Sequence, residues 1–232
     1  MSFIEVQDIS KTFKVNKRKA GIPGMIANMF VPKYEYKEAV KKISFNIEEG
    51  EMVGFIGPNG AGKSTTIKML SGILCPDEGN ISVGGYVPYK QRKDYVANIG
   101  VVFGQKSQLQ WDLPVIDSFE LLKAIYRIPE DKYKKNLNRF TDMLDMGGFI
   151  DQPVRQLSLG QRMRSDIVAS LLHSPEIVFG ECRLNEFLFC QDVFHIARKD
   201  LIEFDFQNMF IQGLNGNTEV SPAEKVIKVI GH

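Results

Sequence analysis

Residues 57–65, GPNGAGKST, combine glycines, a lysine and two hydroxyl residues at the spacing G-x-x-x-x-G-K-[ST]. An apolar run from Met52 to Ile56 precedes them, and apolar Ile67, Leu70 and Leu74 follow at helical steps, so the pattern predicts strand, loop and helix. A glycine-rich loop between a strand and a helix is the arrangement that binds phosphate chains. We therefore predict a nucleotide site in this segment, called the phosphate loop below.

Each residue type in the phosphate loop suits a separate part of a nucleotide. Glycines permit backbone conformations that other residues avoid, so successive N–H groups from Asn59 to Thr65 can point at phosphates near the positive end of the helix. Lys63 would reach the β- and γ-phosphates, and the Ser64 hydroxyl would bind Mg²⁺. The loop alone does not separate a transporter motor from a kinase or a GTPase. The predicted nucleotide-binding residues here are Gly57, Asn59, Gly60, Ala61, Gly62, Lys63, Ser64 and Thr65.

A second helix start of interest lies further along the chain, in QLSLGQRMRSDIVASLLHSP. Ser158 and Gln161 have the spacing of a capping box, and apolar residues then recur at helical steps. One interpretation is simply a well-capped amphipathic helix. The other adds an exposed anion site, formed by Ser158 and the amides near Gly160 at the helix N-terminus.

The pair GPNGAGKST and LSLGQ resembles the nucleotide-binding subunit of an ABC transporter, most closely those of ABC-2 type exporters, over about residues 1–179. The resemblance implies an α/β fold, the P-loop NTPase ABC cassette. Its parts would be a RecA-like parallel sheet core, an N-terminal antiparallel β subdomain and a small helical subdomain at about 115–165. It also implies that two such subunits enclose ATP and Mg²⁺ between the phosphate loop of one and LSLGQ of the other, as a homodimer or heterodimer, and drive a membrane permease.

The resemblance assigns roles to further residues. Phe13, in ISKTFKV, falls where the family stacks an aromatic ring on adenine, although a core aromatic in a strand is the alternative. Gln105, in VVFGQKSQLQWDLP, falls where the family places a glutamine that senses Mg²⁺ and water, although a solvated loop residue is the alternative. The remaining implied residues are Ser158, Gly160 and Gln161 for the nucleotide, and Ser64 with Gln105 for Mg²⁺.

The resemblance ends after Phe179. Where the family has Asp-Glu at the end of a strand, this chain reads Gly180, Glu181 and Cys182. In one register Glu181 replaces the Mg²⁺ acid and Cys182 replaces the catalytic base; in the other, Glu181 is the base and the acid is missing. General-base assistance is worth ~10²- to 10⁴-fold, and cysteine cannot supply it here. ATP hydrolysis is therefore expected to be impaired, with Glu181 as the catalytic candidate.

Residues 180–232 are interpreted as a divergent tail of uncertain structure. Its abrupt start favours a frameshift, truncation or sequencing error as the origin, and real divergence into a non-hydrolysing cassette is the alternative. The missing family strand would leave backbone groups of a parallel sheet unpaired, so a tail segment should fill the gap. The best candidates are NMFIQGL and KVIKVIG. His195 is interpreted as a helix or surface histidine; a metal site from Cys182, Cys190 and His195 is the alternative, without a known ligand spacing.

The composition bears on which cellular compartment and which binding partners are expected for this protein. The 232 residues carry a net charge of +1, so no excess of one sign favours nucleic acid. Three cysteines without a CxxC pair suit a reducing cytoplasm, and the apolar runs are shorter than the ~20 residues of a membrane-spanning helix. We expect a cytoplasmic protein held at the membrane by its permease. The alternatives are a non-hydrolysing regulatory or partner subunit and a soluble ABC ATPase unrelated to transport.

An insert occupies residues 16–36, NKRKAGIPGMIANMFVPKYEY. Long surface insertions are tolerated, so a mobile loop is the first interpretation. Because basic residues precede a short apolar patch, contact with anionic headgroups or with the permease is the second.

Overall fold

The computed structural model describes residues 2–16, 34–55, 57–103, 107–181 and 226–229. They form two compact units, the first up to Arg92 together with Val226–Val229, the second from Lys93 to Glu181. The strands are β1 (Ser2–Asn16), β2 (Tyr34–Glu48), β3 (Met52–Phe55), β4 (Glu78–Val83), β5 (Ile99–Phe103), β6 (Ile177–Glu181) and β7 (Val226–Val229). The helices are α1 (Lys63–Leu70), α2 (Arg92–Val96), α3 (Val115–Tyr126), α4 (Glu130–Met143) and α5 (Leu159–Leu171), with a 3₁₀ turn at Val154–Gln156.

An antiparallel sheet in the order β2-β1-β4 dominates the first unit. Ile4 lies opposite Val83 and Val6 opposite Ile81 across the β1–β4 pair. All four side chains are buried, because alternate residues of a strand face the same side. The N-terminal antiparallel β subdomain implied by the resemblance is thus confirmed.

The β1–β2 pairing continues further than the sequence suggested. Asn16 lies opposite Tyr34 and Lys14 opposite Tyr36, so the prediction of a loop over 16–36 is wrong at both of its ends. Tyrosine favours strands, and the Lys14 ammonium lies 3.8 Å from the Tyr34 ring centroid, which stabilises the extended pairing. Residues 17–33 lie outside the described part of the chain.

The predicted strand and helix around the phosphate loop are confirmed, except at the helix end. The pattern placed Leu74 on the helix, but α1 ends at Leu70. Gly72 has φ +73°, and a Cβ there would lie 2.8 Å from the Pro88 carbonyl oxygen, so the chain turns away. The Leu74 N–H then donates to the Lys68 carbonyl at 2.9 Å, which closes the turn.

One of the two candidate tail segments forms a strand beside the phosphate-loop strand. Residues 226–229 of KVIKVIG are β7, which pairs antiparallel with β3 from Met52–Val229 to Phe55–Val226. The parallel partner expected for β3 is therefore replaced, within the described residues, by an antiparallel one. Antiparallel pairing satisfies the ladder groups of β3 equally well. The other candidate, NMFIQGL, lies outside the described residues.

The second unit contains the parallel pairing that the resemblance implied. β5 and β6 run parallel in register from Ile99–Ile177 to Phe103–Glu181. A Cβ added at Gly100 would lie 2.6 Å from the Ser170 carbonyl oxygen, so a glycine in β5 allows the end of α5 to approach the strand.

Three helices surround the core of the second unit. The periodicity around IDSFELLKAIYRI and DKYKKNLNRFTDMLDM predicted two of them, and α3 and α4 confirm both. Their apolar stripes join that of α5 in one cluster, in which Val115, Phe119 and Val168 have no exposed surface. No helix in the described ranges combines the length and apolar character required to cross a membrane.

Candidate functional site

The phosphate loop reverses the chain through two left-handed glycines. Gly60 and Gly62 both have φ +88°, a conformation that other residues adopt only with strain. Gly62 is the N-cap of α1: its carbonyl accepts the Thr66 N–H at 2.8 Å and the Thr66 hydroxyl at 3.1 Å. Amides in the first turn of a helix point away from the helix body, here into the loop. The positive end of α1 therefore opens on this loop.

Lys63 is held inside the same loop by backbone carbonyls. Its Nζ donates to the carbonyl oxygen of Gly57 at 2.6 Å and to that of Pro58 at 2.9 Å. The Ala61 N–H donates to the Pro58 carbonyl at 3.2 Å, which curls the loop around the ammonium. A fixed cation and the start of a helix thus occur together, and this combination attracts phosphate oxygens.

Gly62 also packs against β2. A Cβ at this position would lie 2.5 Å from the Ala39 carbonyl oxygen and 3.1 Å from the Val40 side chain. A Cβ at Gly57 would meet only Ala61, at 3.4 Å, which is ordinary contact. Gly62 is thus required both for its backbone conformation and for the space that β2 leaves.

The other predicted nucleotide-binding residues of the first unit lie on the phosphate loop, at the start of α1 and on β1. Asn59 is exposed on the loop, and Ser64 and Thr65 are half-buried in the first turn of α1. Phe13 lies on β1 opposite Lys37 and is half-buried, outside the fully buried core. Stacking of Phe13 on adenine, and Mg²⁺ binding by Ser64, stay predictions.

The LSLGQ motif forms the predicted capping box. The Ser158 Oγ accepts the Gln161 N–H at 3.2 Å, and the Gln161 Oε1 accepts the Ser158 N–H at 2.9 Å. Ser158 is exposed, Leu159 is 60% exposed and Gly160 is half-buried, so this helix end faces solvent. Since a serine hydroxyl can accept and donate at once, capping leaves the Ser158 proton available to an anion.

Asp166, also on α5, is a residue that the sequence reasoning did not single out. Its Oδ1 accepts the Ser107 hydroxyl and the Gln108 N–H, each at 2.8 Å. Burial raises the pKa of the Asp166 carboxyl, while these two hydrogen bonds and the charge of Arg162 oppose the shift. The available signal was a single acidic residue in the run RMRSDIVASL, whose other residues are apolar, basic or serine.

Glu181, the candidate catalytic residue, is the last residue of β6. Glu181 is opposite Phe103 in the parallel pair, so the carboxyl ends of β5 and β6 share one edge, where ligands bind in many α/β proteins. Gln105 follows β5 by two residues but lies outside the described residues, as do Cys182, Cys190 and His195. Among the residues that are described, no group of three or more His, Cys, Asp or Glu side chains could hold a metal ion.

Comparison with known proteins identifies similar sequences and folds. The family model for ABC transporters matches residues 40–180. The chain is 36% identical over 145 residues to the linearmycin resistance ATP-binding protein LnrL of Bacillus subtilis. This match covers 62% of this chain and 46% of LnrL. It is 30% identical over 149 residues to the ABC transporter ATP-binding protein NatA of the same organism, and this match covers 64% of this chain and 61% of NatA. The matches thus span about half of these relatives' lengths.

A solved structure supports the fold. The ATP-binding cassette MJ0796, described as a dimer in a post-hydrolysis state bound to ADP and Pi, superposes with a TM-score of 0.63 at 24% identity. The match covers 85% of this chain and 84% of that one. At this identity the likeness concerns the fold.

Proposed function

Because this chain belongs to the ABC transporter family as an ATP-binding protein, we propose that it powers an exporter by coupling ATP binding and hydrolysis to transport through a separate membrane permease. The observation that carries the proposal is the phosphate loop, in which Lys63 is fixed by the carbonyls of Gly57 and Pro58 at the start of α1. Export is favoured because the relative LnrL is named for resistance to linearmycin.

Mg²⁺ is proposed to accompany the nucleotide. The candidate donors are the hydroxyl of Ser64 and the amide oxygen of Gln105, joined by the carboxylate of Glu181, through water, in the register in which Glu181 replaces the Mg²⁺ acid. All three are hard oxygen ligands, the type that Mg²⁺ prefers together with water and phosphate oxygens. The metal would neutralise charge on the phosphates, and the position of Ser64 directly after Lys63 in the first turn of α1 supports this serine as a ligand.

A second ATP-binding subunit is proposed as the immediate partner. The exposed Ser158 cap supports this, since its hydroxyl proton and the first amides of α5 can meet a phosphate held by another subunit's phosphate loop. The description of the MJ0796 structure as a dimer is in line with it. The pair, a homodimer or a heterodimer, would sit at the cytoplasmic face of the membrane through contact with the permease.

The turnover step is the one in which this chain is expected to differ from its relatives. Cys182 follows Glu181 at the end of β6, so one carboxylate of the expected pair is missing in either register. This favours, as a second candidate function, a non-hydrolysing subunit that binds ATP and pairs with an intact cassette. ATP would then control assembly without being consumed rapidly.

Purified protein distinguishes the two candidates. Mg²⁺-dependent ATP hydrolysis that is abolished by Lys63→Ala supports the motor, with Lys68→Ala on the same helix as the matched control. Nucleotide binding with turnover equal to that of Lys63→Ala supports the non-hydrolysing subunit. Affinity purification of the protein from cells tests both candidates. If the protein is recovered with a soluble assembly and without any permease from detergent-solubilised membranes, both candidates are contradicted.

A further inference from the structure

A β-bulge interrupts the pairing of β1 with β2 beside the phosphate loop. Lys11 lies opposite Val40, whereas the next residue, Thr12, lies opposite Glu38, so β2 contains one extra residue here, Ala39. A bulge of this kind bends its strand locally and re-aims the extra residue, and bulges are over-represented next to active sites. Ala39 and its two neighbours in β2, Glu38 and Val40, are called the Ala39 bulge below.

The Ala39 bulge is the part of β2 that contacts the phosphate loop. A Cβ on Gly62 would lie 2.5 Å from the Ala39 carbonyl oxygen and 3.1 Å from the Val40 side chain. Gly62 is also the N-cap of α1, and its carbonyl accepts the Thr66 N–H at 2.8 Å. Because close-packed groups transmit displacements to one another, the position of the bulge helps to set where α1 begins.

Asp77 holds the part of β1 that lies opposite the Ala39 bulge. Its Oδ1 accepts a hydrogen bond from the Lys11 ammonium at 2.6 Å, and its Oδ2 accepts the Thr12 N–H at 2.7 Å. The Asp77 N–H in turn donates to the Ser10 carbonyl at 2.9 Å. Ser10 is the last residue of β1 that pairs with β4, so the Asp77 side chain takes the place of a further strand residue for Thr12.

The contacts of Asp77 are of the strong, charge-assisted kind. Hydrogen bonds from Lys11 and from the Thr12 amide lower the pKa of the Asp77 carboxyl, which is therefore ionised at neutral pH. The Lys11 side chain is only 16% exposed, and hydrogen bonds to an ionised acceptor are shorter and stronger than neutral ones. Asp77 thus fastens both residues of β1 that face the Ala39 bulge.

We propose that Asp77 is a positioning residue for the phosphate loop, acting through the Ala39 bulge on Gly62. With Asp77 in place, β1 holds the bulge against the loop, and the amides at the start of α1 keep the arrangement that suits a triphosphate. Without it, the Thr12 amide loses this acceptor and the bulge can relax away from Gly62. All residues in this series of contacts belong to the first unit. The proposal rests on the proposed function, because it requires that the phosphate loop bind nucleotide.

Amide NMR signals of the isotope-labelled protein, recorded without nucleotide, test the positioning directly. Asp77→Ala should shift the Gly62 signal and leave that of Gly60, which has the same φ of +88° but open space around it. Asp77→Asn retains an acceptor oxygen for the Thr12 amide and should return the Gly62 signal most of the way. Glu78→Ala removes the adjacent exposed carboxylate and is the matched control, in which both glycine signals should stay unchanged.

Two ligands measure the consequence for binding. A non-hydrolysable ATP analogue with Mg²⁺ presents a base, a sugar and phosphates, whereas inorganic tripolyphosphate with Mg²⁺, measured by displacement of the analogue, presents phosphates alone. Asp77→Ala should weaken both by the same factor, on the order of tenfold, as expected for a residue that acts on a site through others. Asp77→Asn should restore most of the affinity for both ligands, and Glu78→Ala should bind them as the wild type does.

Lys11→Met covers the case in which Asp77→Ala does not fold. It removes one of the two side-chain contacts of Asp77 with β1 and leaves the hydrogen bond from Thr12 in place. It should therefore shift the Gly62 signal and weaken both ligands, each to a smaller extent than expected for Asp77→Ala. An unchanged Gly62 signal and unchanged affinities in Lys11→Met would overturn the proposal.

The outcomes separate this proposal from the proposed function. The positioning role is overturned, with normal wild-type binding of the analogue, if Asp77→Ala leaves the Gly62 signal or both affinities unchanged, or if Glu78→Ala causes an equal loss. It is also overturned if the loss concerns the analogue alone, or if tripolyphosphate does not displace the analogue, because the effect would then not act on the phosphates. Wild-type protein that binds neither ligand, or binds them no better than Lys63→Ala, would instead overturn the proposed function, and the positioning role with it.

Discussion

Gly62 and the carbonyl group of Ala39 are in direct contact, so close that a Cβ on residue 62 would lie 2.5 Å from the Ala39 oxygen. The phosphate loop therefore rests on β2, and its shape depends on Ala39, a residue more than twenty positions before Gly62 in the sequence. Gly60 has the same φ of +88° but open space around it. The two glycines thus allow the effect of conformation to be separated from the effect of packing.

Gly62→Ala should destabilise the protein more than Gly60→Ala. The left-handed conformation costs an alanine about 1–2 kcal/mol at either position, and only at residue 62 is a clash with backbone added. A further loss of about 1–3 kcal/mol in the free energy of unfolding is expected at residue 62 from overpacking. Urea unfolding of both variants checks this, and equal losses would show that β2 does not support the loop.

Ser158→Ala should weaken the start of α5. The loss of an N-cap hydroxyl costs typically about 1 kcal/mol in the free energy of unfolding. Ser158→Thr, which retains a capping oxygen, should recover most of it and should also retain dimerisation induced by ATP in size-exclusion chromatography. Dimerisation that is equally strong in Ser158→Ala would contradict contact between this cap and a phosphate.

Cys182→Glu should raise ATP turnover. If Glu181 serves the metal, a glutamate at 182 would restore the general base, which is worth ~10²- to 10⁴-fold in rate. Release of inorganic phosphate under saturating Mg²⁺-ATP measures the effect, with Cys75→Glu as a control for an added carboxylate at an exposed cysteine. No increase over the wild type would reject this register and favour Glu181 as the base.

The stability that Asp166 confers should depend on pH. Burial raises the pKa of this carboxyl in the folded protein above the reference value of 3.8, so folding favours its neutral form. Its contribution is then largest below the unfolded pKa and falls as the pH rises through the folded one. Asp166→Asn does not titrate, so its free energy of unfolding should rise relative to the wild type between pH 4 and neutrality.

Urea unfolding at a series of pH values measures that difference. The charge of Arg162 opposes the rise in the pKa of Asp166. In an Arg162→Met background, the difference in the free energy of unfolding between the proteins with and without Asp166→Asn should therefore be larger. The exposed Asp142→Asn variant is the control and should follow the wild type across the range. A constant difference between Asp166→Asn and the wild type would show that the carboxyl does not titrate differently on folding.

Local patterns predicted the parts of the site that depend on neighbouring residues. The strand, loop and helix around Lys63 follow from glycine spacing and apolar periodicity, and the Ser158–Gln161 capping box from two residues three apart. Periodicity also predicted α3 and α4. It extended α1 to Leu74, because apolar spacing carries no information on the contact of Gly72 with Pro88 that ends the helix.

Contacts between distant segments could not be predicted in the same way. The antiparallel pairing of β7 with β3 joins residues far apart in the chain, and a short run such as VIKV pairs in either direction. The hydrogen bond from the Ser107 hydroxyl to Asp166 likewise joins residues that are far apart in the chain. In the sequence, Asp166 is one acidic residue in a helix and carries no motif.

Isothermal titration calorimetry with a non-hydrolysable ATP analogue and Mg²⁺ tests the central claim, that the phosphate loop binds a triphosphate. The wild type and Lys68→Ala should bind with similar heats, because Lys68 lies in the last turn of α1. Lys63→Ala should bind at least about tenfold more weakly, since charge-assisted hydrogen bonds to phosphate are lost. Folded wild-type protein that gives no heat of association, or Lys63→Ala that binds as tightly, would contradict the account.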